Sequence, residues 1–306
     1  MALNLASSGW QVMVWTRTGE LSEELAAAGV VRAERLSRLG RACSVVLTVL
    51  PDLPEVVEVC DGPDGLLAGA APGTVVVVMG TVSAPRLRGW TATVRARGHA
   101  VVDAPVSGGV EGARAATLSV MVGGEQAHVE RVLPVLQVLG TTVRHLGPVG
   151  SGQVAKACNQ AVVAGTLALL AEAVTLGGHA GLDTADLLEL LGGGLAGSRA
   201  LQDKTPRYVS GDFRPGGAAR FQHKDLGFAL ESARELGVAV PVTALVDQLF
   251  GAMRWTGRGD LDHSGVIEVV RLLSGDRTAR DDTGDPSSEG TSGHLVPHES
   301  VQEEQR

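Results

Sequence analysis

Short apolar segments alternate with amphipathic ones through the first half of the chain. Val, Thr and Leu dominate the apolar segments and turn residues flank them, which predicts strands at residues 11–15, 44–50, 74–79, 100–103, 119–123 and 142–146. Helical periodicity predicts helices at residues 22–28, 53–60, 85–97 and 126–139. Strands that alternate with helices are typical of a parallel sheet with right-handed crossovers. The continuous apolar strands indicate that helices cover both faces of this sheet.

The pattern changes after residue 150. Helical periodicity runs through residues 154–180, 184–191, 224–236, 241–255 and 264–273, with no strand pattern between them. The glycine-rich turn at residues 147–152 separates the two halves. We therefore predict an α/β domain at residues 1–150, an all-helical domain at residues 151–274 and a tail at residues 275–306.

Composition narrows the function class. The 306 residues are 44% hydrophobic, which is enough for two packed domains. The net charge is −8, and the tail, with eight acidic residues and three arginines, carries −5 of it. This tail has few large apolar residues, so we expect it to be disordered. A body charge near −3 does not favour a nucleic-acid partner.

Apolar runs and cysteine spacing indicate where in the cell the protein is expected and whether it binds a metal. No run of eighteen apolar residues occurs, the longest candidate being residues 161–171, and the basic start of a signal peptide is missing. The three cysteines are unpaired by spacing, and no Cys/His cluster has the spacing of a zinc site. We expect a cytoplasmic protein with reduced thiols, no bound metal and no membrane partner.

The front of the chain departs from a doubly wound nucleotide-binding fold. That fold opens with a strand, a G-x-G-x-x-G turn and a helix. Here residues 1–6 already have the pattern of the helix, and the next strand begins at Gln11. We expect the first strand and the phosphate loop to lie ahead of Met1. Three explanations stay open: the start codon is placed too late, the protein is truncated, or the fold is not used to bind a nucleotide.

The turn after the first predicted strand bears on the choice of dinucleotide. Thr16, Arg17 and Thr18 occupy the place where an acidic residue usually binds the ribose 2′-hydroxyl of NAD. A guanidinium fork suits a 2′-phosphate instead, which favours NADP over NAD. The alternative is an ordinary surface arginine in a turn.

One lysine is a candidate for acid–base chemistry. The chain has three lysines against twenty-three arginines, and Lys156 lies three residues before Asn159 on one helix face. A desolvated lysine can lose its proton near neutral pH, whereas arginine cannot. Lys156 is thus a candidate general acid and base, the alternative being a solvated helix residue.

Four segments, in the same order, resemble the β-hydroxyacid dehydrogenase family, which includes 3-hydroxyisobutyrate dehydrogenase. They are the run Asp103-Ala104-Pro105-Val106-Ser107-Gly108-Gly109, the stretch 147–159 with Lys156, the triplet Lys224-Asp225-Leu226, and residues 1–5. The resemblance implies a Rossmann-like parallel-sheet domain, here without its first strand and glycine-rich loop, followed by a helical domain for substrate binding and dimerisation. It also relates the chain to 6-phosphogluconate dehydrogenase.

The resemblance further implies roles for individual residues. Lys156 would be the general acid and base, and Asn159 would hold the substrate oxygen or orient Lys156. A small carboxylate substrate would be cradled by Ser107, Gly108, Gly109 and Lys224. The cofactor, NADP with NAD less favoured, would be bound by Arg17, Thr18, Thr81, Lys224 and Asp225. Relatives of this kind lead us to expect a homodimer or homotetramer.

Two alternatives to a β-hydroxyacid dehydrogenase remain at this point. The first is a non-catalytic truncated relative that is retained as a dimerising protein. The second is an imine reductase. Imine reductases usually replace the catalytic lysine and lack the Pro-Val-Ser-Gly-Gly run, and this chain keeps both features.

Overall fold

The computed structural model describes residues 1–17 and 19–276. Thr18 and the acidic tail beyond residue 276 lie outside the described residues, together with the predictions made for them. The strands are β1 Met13–Val14, β2 Val31–Arg32, β3 Val45–Thr48, β4 Val75–Val78, β5 Ala100–Asp103, β6 Val106–Ser107, β7 Ser119–Val122 and β8 Thr142–His145. All six predicted strands are present. The two that were not predicted, β2 and β6, have two residues each and, unlike the equally short β1, belong to no longer apolar run.

The helices of the first half are α1 Ala2–Ser7, α2 Glu23–Ala27, α3 Leu36–Ala42, α4 Leu53–Asp61, α5 Leu66–Gly69, α6 Ala84–Ala96, α7 Gly109–Ala115 and α8 Gln126–Gln137. Those of the second half are α9 Ser151–His179, α10 Thr184–Gly193, α11 Arg199–Ser210, α12 Ala219–Leu236, α13 Pro241–Trp255 and α14 Ile267–Leu273. Several helices begin at a Ser or Asp whose side chain accepts a hydrogen bond from a free N–H of the first turn, as Ser83 does from Arg86 at the start of α6.

The strands form three hydrogen-bonded groups. β1 pairs in parallel with β2, and β3, β4 and β5 pair in parallel in that order. β7 pairs in parallel with β8 but antiparallel with the short β6, which departs from the predicted parallel pairing. A single antiparallel bridge between Asp103 and Gly123 connects the group of β5 to that of β7.

The central strand β4 shows how the sheet is buried. All four of its valines are 0% exposed. Val76 and Val78 pack in a core with Leu66 and Leu87, whereas Val75 and Val77 pack in a second core that includes Leu118. Alternate side chains of a strand point to opposite faces, so both faces are covered by helices, as predicted.

The second half is helical, as predicted, and α9 is its centre. Helices α10 to α14 contact α9 and bury Ala164, Leu167 and Ala171 on it. In the part of the chain that the structure describes, α9 is the one helix long and apolar enough, by length and composition, to cross a membrane, with 44% of its apolar window buried. The central helix of a helical domain satisfies the same criterion. Helix α11 was not predicted, since it is polar and contains Pro206.

Candidate active site

The first turn of α9 is fixed to the sheet by one carboxylate. Asp103, the last residue of β5, is fully buried and accepts hydrogen bonds from the backbone N–H groups of Gly150 (2.7 Å) and Gln153 (2.8 Å). Burial raises the pKa of Asp103 to about 6, against the opposing effect of these N–H donors. Gly152 allows the close approach, because a Cβ there would lie 2.2 Å from the carbonyl oxygen of Met121 in β7. The helix therefore starts in a single position on the sheet.

Lys156 lies one turn further along α9. Lys156 is 8% exposed. Burial lowers the pKa of its ammonium group, and the negative charge of the neighbouring Asp225 raises it in part. Asn159 follows on the next turn, half-buried, and donates through Nδ2 to Oε1 of Gln160 at 2.9 Å. The predicted pair thus lies on one face of α9, and the lysine is largely removed from solvent.

Helix α12 places Asp225 and Lys224 near Lys156, and Gln160 of α9 contacts Asp225. Gln160 donates through Nε2 to Oδ2 of Asp225 at 2.8 Å, and Lys224 forms an ion pair with Oδ1 of Asp225 at 3.0 Å. Burial raises the pKa of Asp225, and Lys224 counteracts this rise. Asp225 is therefore a buried carboxylate between two lysines. Gln160 was not predicted, although it lies four residues after Lys156 and so shares its helix face.

Lys224 also connects the two halves of the chain. Its Nζ donates to the carbonyl oxygens of Pro51 (2.6 Å) and Thr81 (2.7 Å), in the loops that follow β3 and β4. The structure thereby brings the predicted residues Thr81, Lys224 and Asp225 together. Because both loops lie at the carboxyl ends of parallel strands, Lys224 reaches the edge of the sheet where ligands bind in this type of fold.

A second residue that the sequence reasoning missed holds the same loop. Gln153 is 2% exposed; its Oε1 accepts from the N–H of Val82 (3.0 Å) and its Nε2 donates to the carbonyl of Gly80 (2.9 Å). It lies three residues before Lys156, and this spacing was the available signal. The loop that carries Thr81 is thus held by Gln153 on one side and by Lys224 on the other.

The predicted carboxylate cradle lies where β6 leads into α7. Gly108 has φ +131° and Gly109 φ +64°, conformations that favour glycine, and Ser107 is half-buried. Among the described residues, no hydrogen bond or ion pair connects these three residues to Lys156. Strand β7 connects them to α9. It pairs with β6, and the carbonyl oxygen of its Met121 packs against Gly152 of α9.

A large cavity lies between β1 and β3. Its volume is about 1210 Å³, and Thr16 and Arg17 line it beyond the end of β1, with Leu50 and Pro51 beyond the end of β3. The strand order runs from β1 to β2 on one side and from β3 to β5 on the other, so the cavity lies at the switch point where dinucleotides bind in doubly wound folds. An arginine beside a hydroxyl fits the phosphorylated ribose of NADP at this edge.

The phosphate end of a dinucleotide fits less well. The G-x-G-x-x-G spacing occurs at residues 192–197, but there it begins within the last turn of α10 and does not follow a strand. In residues 1–17 and 19–276 no such turn joins a strand to a helix at the cavity. The residues present therefore fit the ribose and nicotinamide ends of the cofactor and leave its pyrophosphate without the usual turn.

Comparison with known proteins identifies the family. Residues 1–147 match the model of the NAD binding domain of 6-phosphogluconate dehydrogenase, and residues 150–270 match that of the NAD-binding domain of NADP-dependent 3-hydroxyisobutyrate dehydrogenase. The chain is 37% identical over 276 residues to 2-(hydroxymethyl)glutarate dehydrogenase of Eubacterium barkeri, covering 90% of this chain and 92% of that protein. It is 36% identical over 279 residues to 2-hydroxy-3-oxopropionate reductase of Escherichia coli K12, covering 91% and 95%.

The chain belongs to the β-hydroxyacid dehydrogenase family. It is thereby an NAD(P)-dependent oxidoreductase with the Rossmann-type and helical halves of that family. The solved 3-hydroxyisobutyrate dehydrogenase of Mycobacterium tuberculosis, bound to L-serine, superposes with a TM-score of 0.77 at 32% identity over 88% of this chain and 94% of that one.

The imine reductases are more distant from this member of the β-hydroxyacid dehydrogenase family. Solved imine reductases, among them complexes with NADP⁺ and with NAD⁺, share 16–19% identity with this chain at TM-scores of 0.55–0.58. Identity at this level shows a common fold only. The comparisons therefore do not favour the imine reductase alternative. They also do not distinguish NADP from NAD as the cofactor of this chain.

Proposed function

We propose that this protein transfers a hydride between NADP and a small β-hydroxyacid or its semialdehyde, of the 3-hydroxyisobutyrate type, with Lys156 as general acid and base. The observation that carries the proposal is the burial of Lys156, which lowers the pKa of its ammonium group, one turn beyond the Asp103 contact. A lysine whose pKa lies closer to neutrality exchanges protons more readily at the pH of the cell.

The proton steps follow from this placement. When bound, the nicotinamide supplies or accepts the hydride. In the reduction direction, protonated Lys156 donates its proton to the substrate oxygen, on which negative charge develops. In the oxidation direction, neutral Lys156 accepts the hydroxyl proton. Asn159 holds the substrate oxygen or orients Lys156, and the charge of Asp225 opposes the lowering of the Lys156 pKa.

The substrate carboxylate binds at the turn between β6 and α7 in this proposal. Backbone N–H groups of Gly108 and Gly109 and the hydroxyl of Ser107 are suited to an anion, because consecutive N–H groups with a left-handed residue form an anion-binding concavity. Lys224 adds positive charge from α12. These groups predict a small acid as substrate and leave its side chain open.

NADP is favoured over NAD because Arg17 lines the cavity beside Thr16. Thr81, Lys224 and Asp225 would bind the nicotinamide end, where Lys224 joins the loops after β3 and β4. Changing Arg17 to Ser should raise the KM for NADPH at least tenfold and leave the KM for NADH nearly unchanged. Equal effects on both cofactors would refute the assignment of Arg17.

We also propose a homodimer or homotetramer in the cytoplasm, built through the helical half. Val162, Leu169 and Leu176 repeat every seven residues along α9 and are 70%, 65% and 74% exposed. A row of exposed large apolar side chains on the longest helix suits a second copy of the same helix. Sedimentation analysis of the wild type and of a Leu169→Glu variant tests this, with a monomeric wild type refuting it.

The experiment that tests the function compares Lys156→Met with Lys156→Arg in the native polypeptide. Oxidation of NADPH by a small semialdehyde acid is the assay. Both variants should lose about 10²- to 10⁴-fold in kcat, since arginine keeps the charge but not the exchangeable proton. Full activity of Lys156→Arg would refute the acid–base role. Reduction of an imine that survives both changes would indicate an imine reductase, and a wild type without any turnover would favour the non-catalytic alternative.

A further inference from the structure

A histidine near Lys156 has no part in the proposed mechanism. His263 opens a 3₁₀ turn, His263–Val266, that packs against α9 and α12. Burial is the main cause that lowers the pKa of His263 from 6.5 to about 4. Three cations add to this lowering and one carboxylate opposes it: Lys204, Arg207 and Lys156 against Asp262. The imidazole is therefore uncharged at neutral pH and lies within the electrostatic range of Lys156.

The partner of His263 on α12 decides which ring nitrogen carries the proton. Gln222 is 3% exposed, and its Nε2 donates to the backbone carbonyl of Gln160 at 3.2 Å, which fixes the orientation of its carboxamide. The oxygen of this carboxamide, Oε1, lies 3.3 Å from Nδ1 of His263. A carboxamide oxygen only accepts hydrogen bonds, so Nδ1 carries the hydrogen and Nε2 keeps its lone pair.

The second ring nitrogen is an acceptor without a donor. Among the described residues, Nε2 of His263 has no hydrogen-bond partner. Gly217 lies against the ring, where a Cβ would be 3.4 Å from Nε2, so the absence of a side chain there leaves one face of the ring uncovered. A neutral acceptor held in one tautomer and left without a protein donor is suited to a donor group of a ligand.

Gln222 connects this histidine to the proposed substrate site. Gln160, to which it bonds, lies four residues after Lys156 on α9 and also donates to Asp225. In the proposed function, Lys156 contacts the oxygen on the reacting carbon, and the turn between β6 and α7 binds the carboxylate. The carbon between these two groups carries the substituent by which small β-hydroxyacids differ. His263 approaches from the helical half, on the side of Lys156 and Gln160.

Three small substituents on this carbon differ in how they suit Nε2 of His263. A hydroxyl group is uncharged and donates a hydrogen bond. A methyl group donates none, and it leaves the nitrogen without a partner, which costs free energy. An ammonium group donates but is repelled by Lys156, Lys204 and Arg207. The site is therefore best matched to the hydroxyl.

We propose that His263 is a specificity-determining residue whose Nε2 accepts a hydrogen bond from a hydroxyl group on the carbon next to the substrate carboxylate. The preferred substrate is then a 2,3-dihydroxy acid or its 2-hydroxy-3-oxo counterpart. This inference rests on the proposed function, which places the carboxylate and the reacting carbon.

A matched series of three acids tests the preference without turnover. Glycerate, 3-hydroxyisobutyrate and serine carry a hydroxyl, a methyl and an ammonium group on the same framework. Each enantiomer is titrated into the wild-type chain at pH 7 by calorimetry, in the presence of NADPH, which cannot accept a hydride from these alcohols. The Kd for glycerate should be at least about fivefold below the other two, as one hydrogen bond allows. Equal Kd values, tighter binding of another acid, or no binding of glycerate would overturn the proposal.

Two substitutions separate the acceptor from a structural role of the ring. His263→Asn keeps an amide near the place of Nδ1 and leaves the place of Nε2 empty, whereas His263→Gln puts an amide near Nε2. His263→Asn should raise the Kd for glycerate about five- to tenfold and that for 3-hydroxyisobutyrate by no more than about twofold. His263→Gln should restore most of the affinity for glycerate. Parallel losses for both acids in both variants would refute the role of Nε2.

The control is His179→Gln, because His179 is the last residue of α9 and lies on the surface far along the helix from Lys156. This variant should leave all three Kd values unchanged. If His263→Asn does not fold, the three acids on the wild type and on His263→Gln decide.

Turnover separates this inference from the proposed function. The function is tested by oxidation of the three acids with NADP, followed as formation of NADPH. A chain that binds glycerate through His263 but oxidises none of the acids would support the specificity and refute the proposed function. A chain that oxidises all three with kcat/KM equal within about twofold would support the function and overturn the specificity.

Discussion

The contact between α9 and the sheet leads to a sharp prediction at Gly152. A Cβ at this position would lie 2.2 Å from the carbonyl oxygen of Met121 and 2.8 Å from Oδ2 of Asp103. Neither atom can move freely, because the first belongs to the backbone of β7 and the second accepts hydrogen bonds from the start of α9. Gly152→Ala must therefore displace the first turn of α9.

The magnitude follows from two opposing terms. Overpacking of this kind costs about 1–3 kcal/mol, and the gain from replacing a helical glycine by alanine is about 0.5–1 kcal/mol. We expect a net loss of about 1–2 kcal/mol in the free energy of unfolding, measured by urea denaturation. A shift of Lys156 by about 1 Å would in addition lower kcat on the order of 100-fold.

The matched control is Gly165→Ala on the same helix. A Cβ at Gly165 would have no heavy atom within 4 Å, so only the propensity gain remains and the variant should be more stable than the wild type by up to about 1 kcal/mol. If Gly152→Ala is as stable and as active as Gly165→Ala, the argument that α9 is fixed by close contact at its start is refuted.

Three further predictions concern the charges and polar groups around α9. Burial lowers the pKa of Lys156, so between that pKa and 10.5 the unfolded chain binds more protons than the folded one. The free energy of unfolding therefore rises with pH over this range. Urea denaturation at a series of pH values should show this rise for the wild type and not for Lys156→Met. Asp103 has the opposite sign: with its pKa raised from 3.8 to about 6, the folded chain binds the extra proton, and the unfolding free energy falls by about 3 kcal/mol between these pH values. Asp103→Asn should abolish that fall, and an unchanged pH profile would contradict the assignment. Gln153→Leu should cost about 1–3 kcal/mol by leaving Gly80 and Val82 without partners, and should raise the KM for NADPH more than it lowers kcat.

The sequence by itself determined the elements and the main chemical candidate. Continuous apolar runs flanked by turn residues, and a period near 3.6 elsewhere, report local burial, so six of the eight strands in the described residues and the change to helices after residue 150 could be predicted. Lys156 could be singled out because a lysine among arginines differs in chemistry wherever it lies. Strands β2 and β6 were not predicted, because neither belongs to a longer apolar run as β1 does.

Only the tertiary structure decided which of these residues meet. The hydrogen bonds of Asp103 to α9 span about fifty residues, and those of Lys224 to the loops after β3 and β4 span 173 and 143. Gln153 and Gln160 cannot be told from ordinary helix residues by sequence, and the cavity between β1 and β3 follows from strand order alone. Such contacts depend on the closure of long loops into one arrangement, and local periodicity contains no information about which distant groups that closure brings within hydrogen-bond distance.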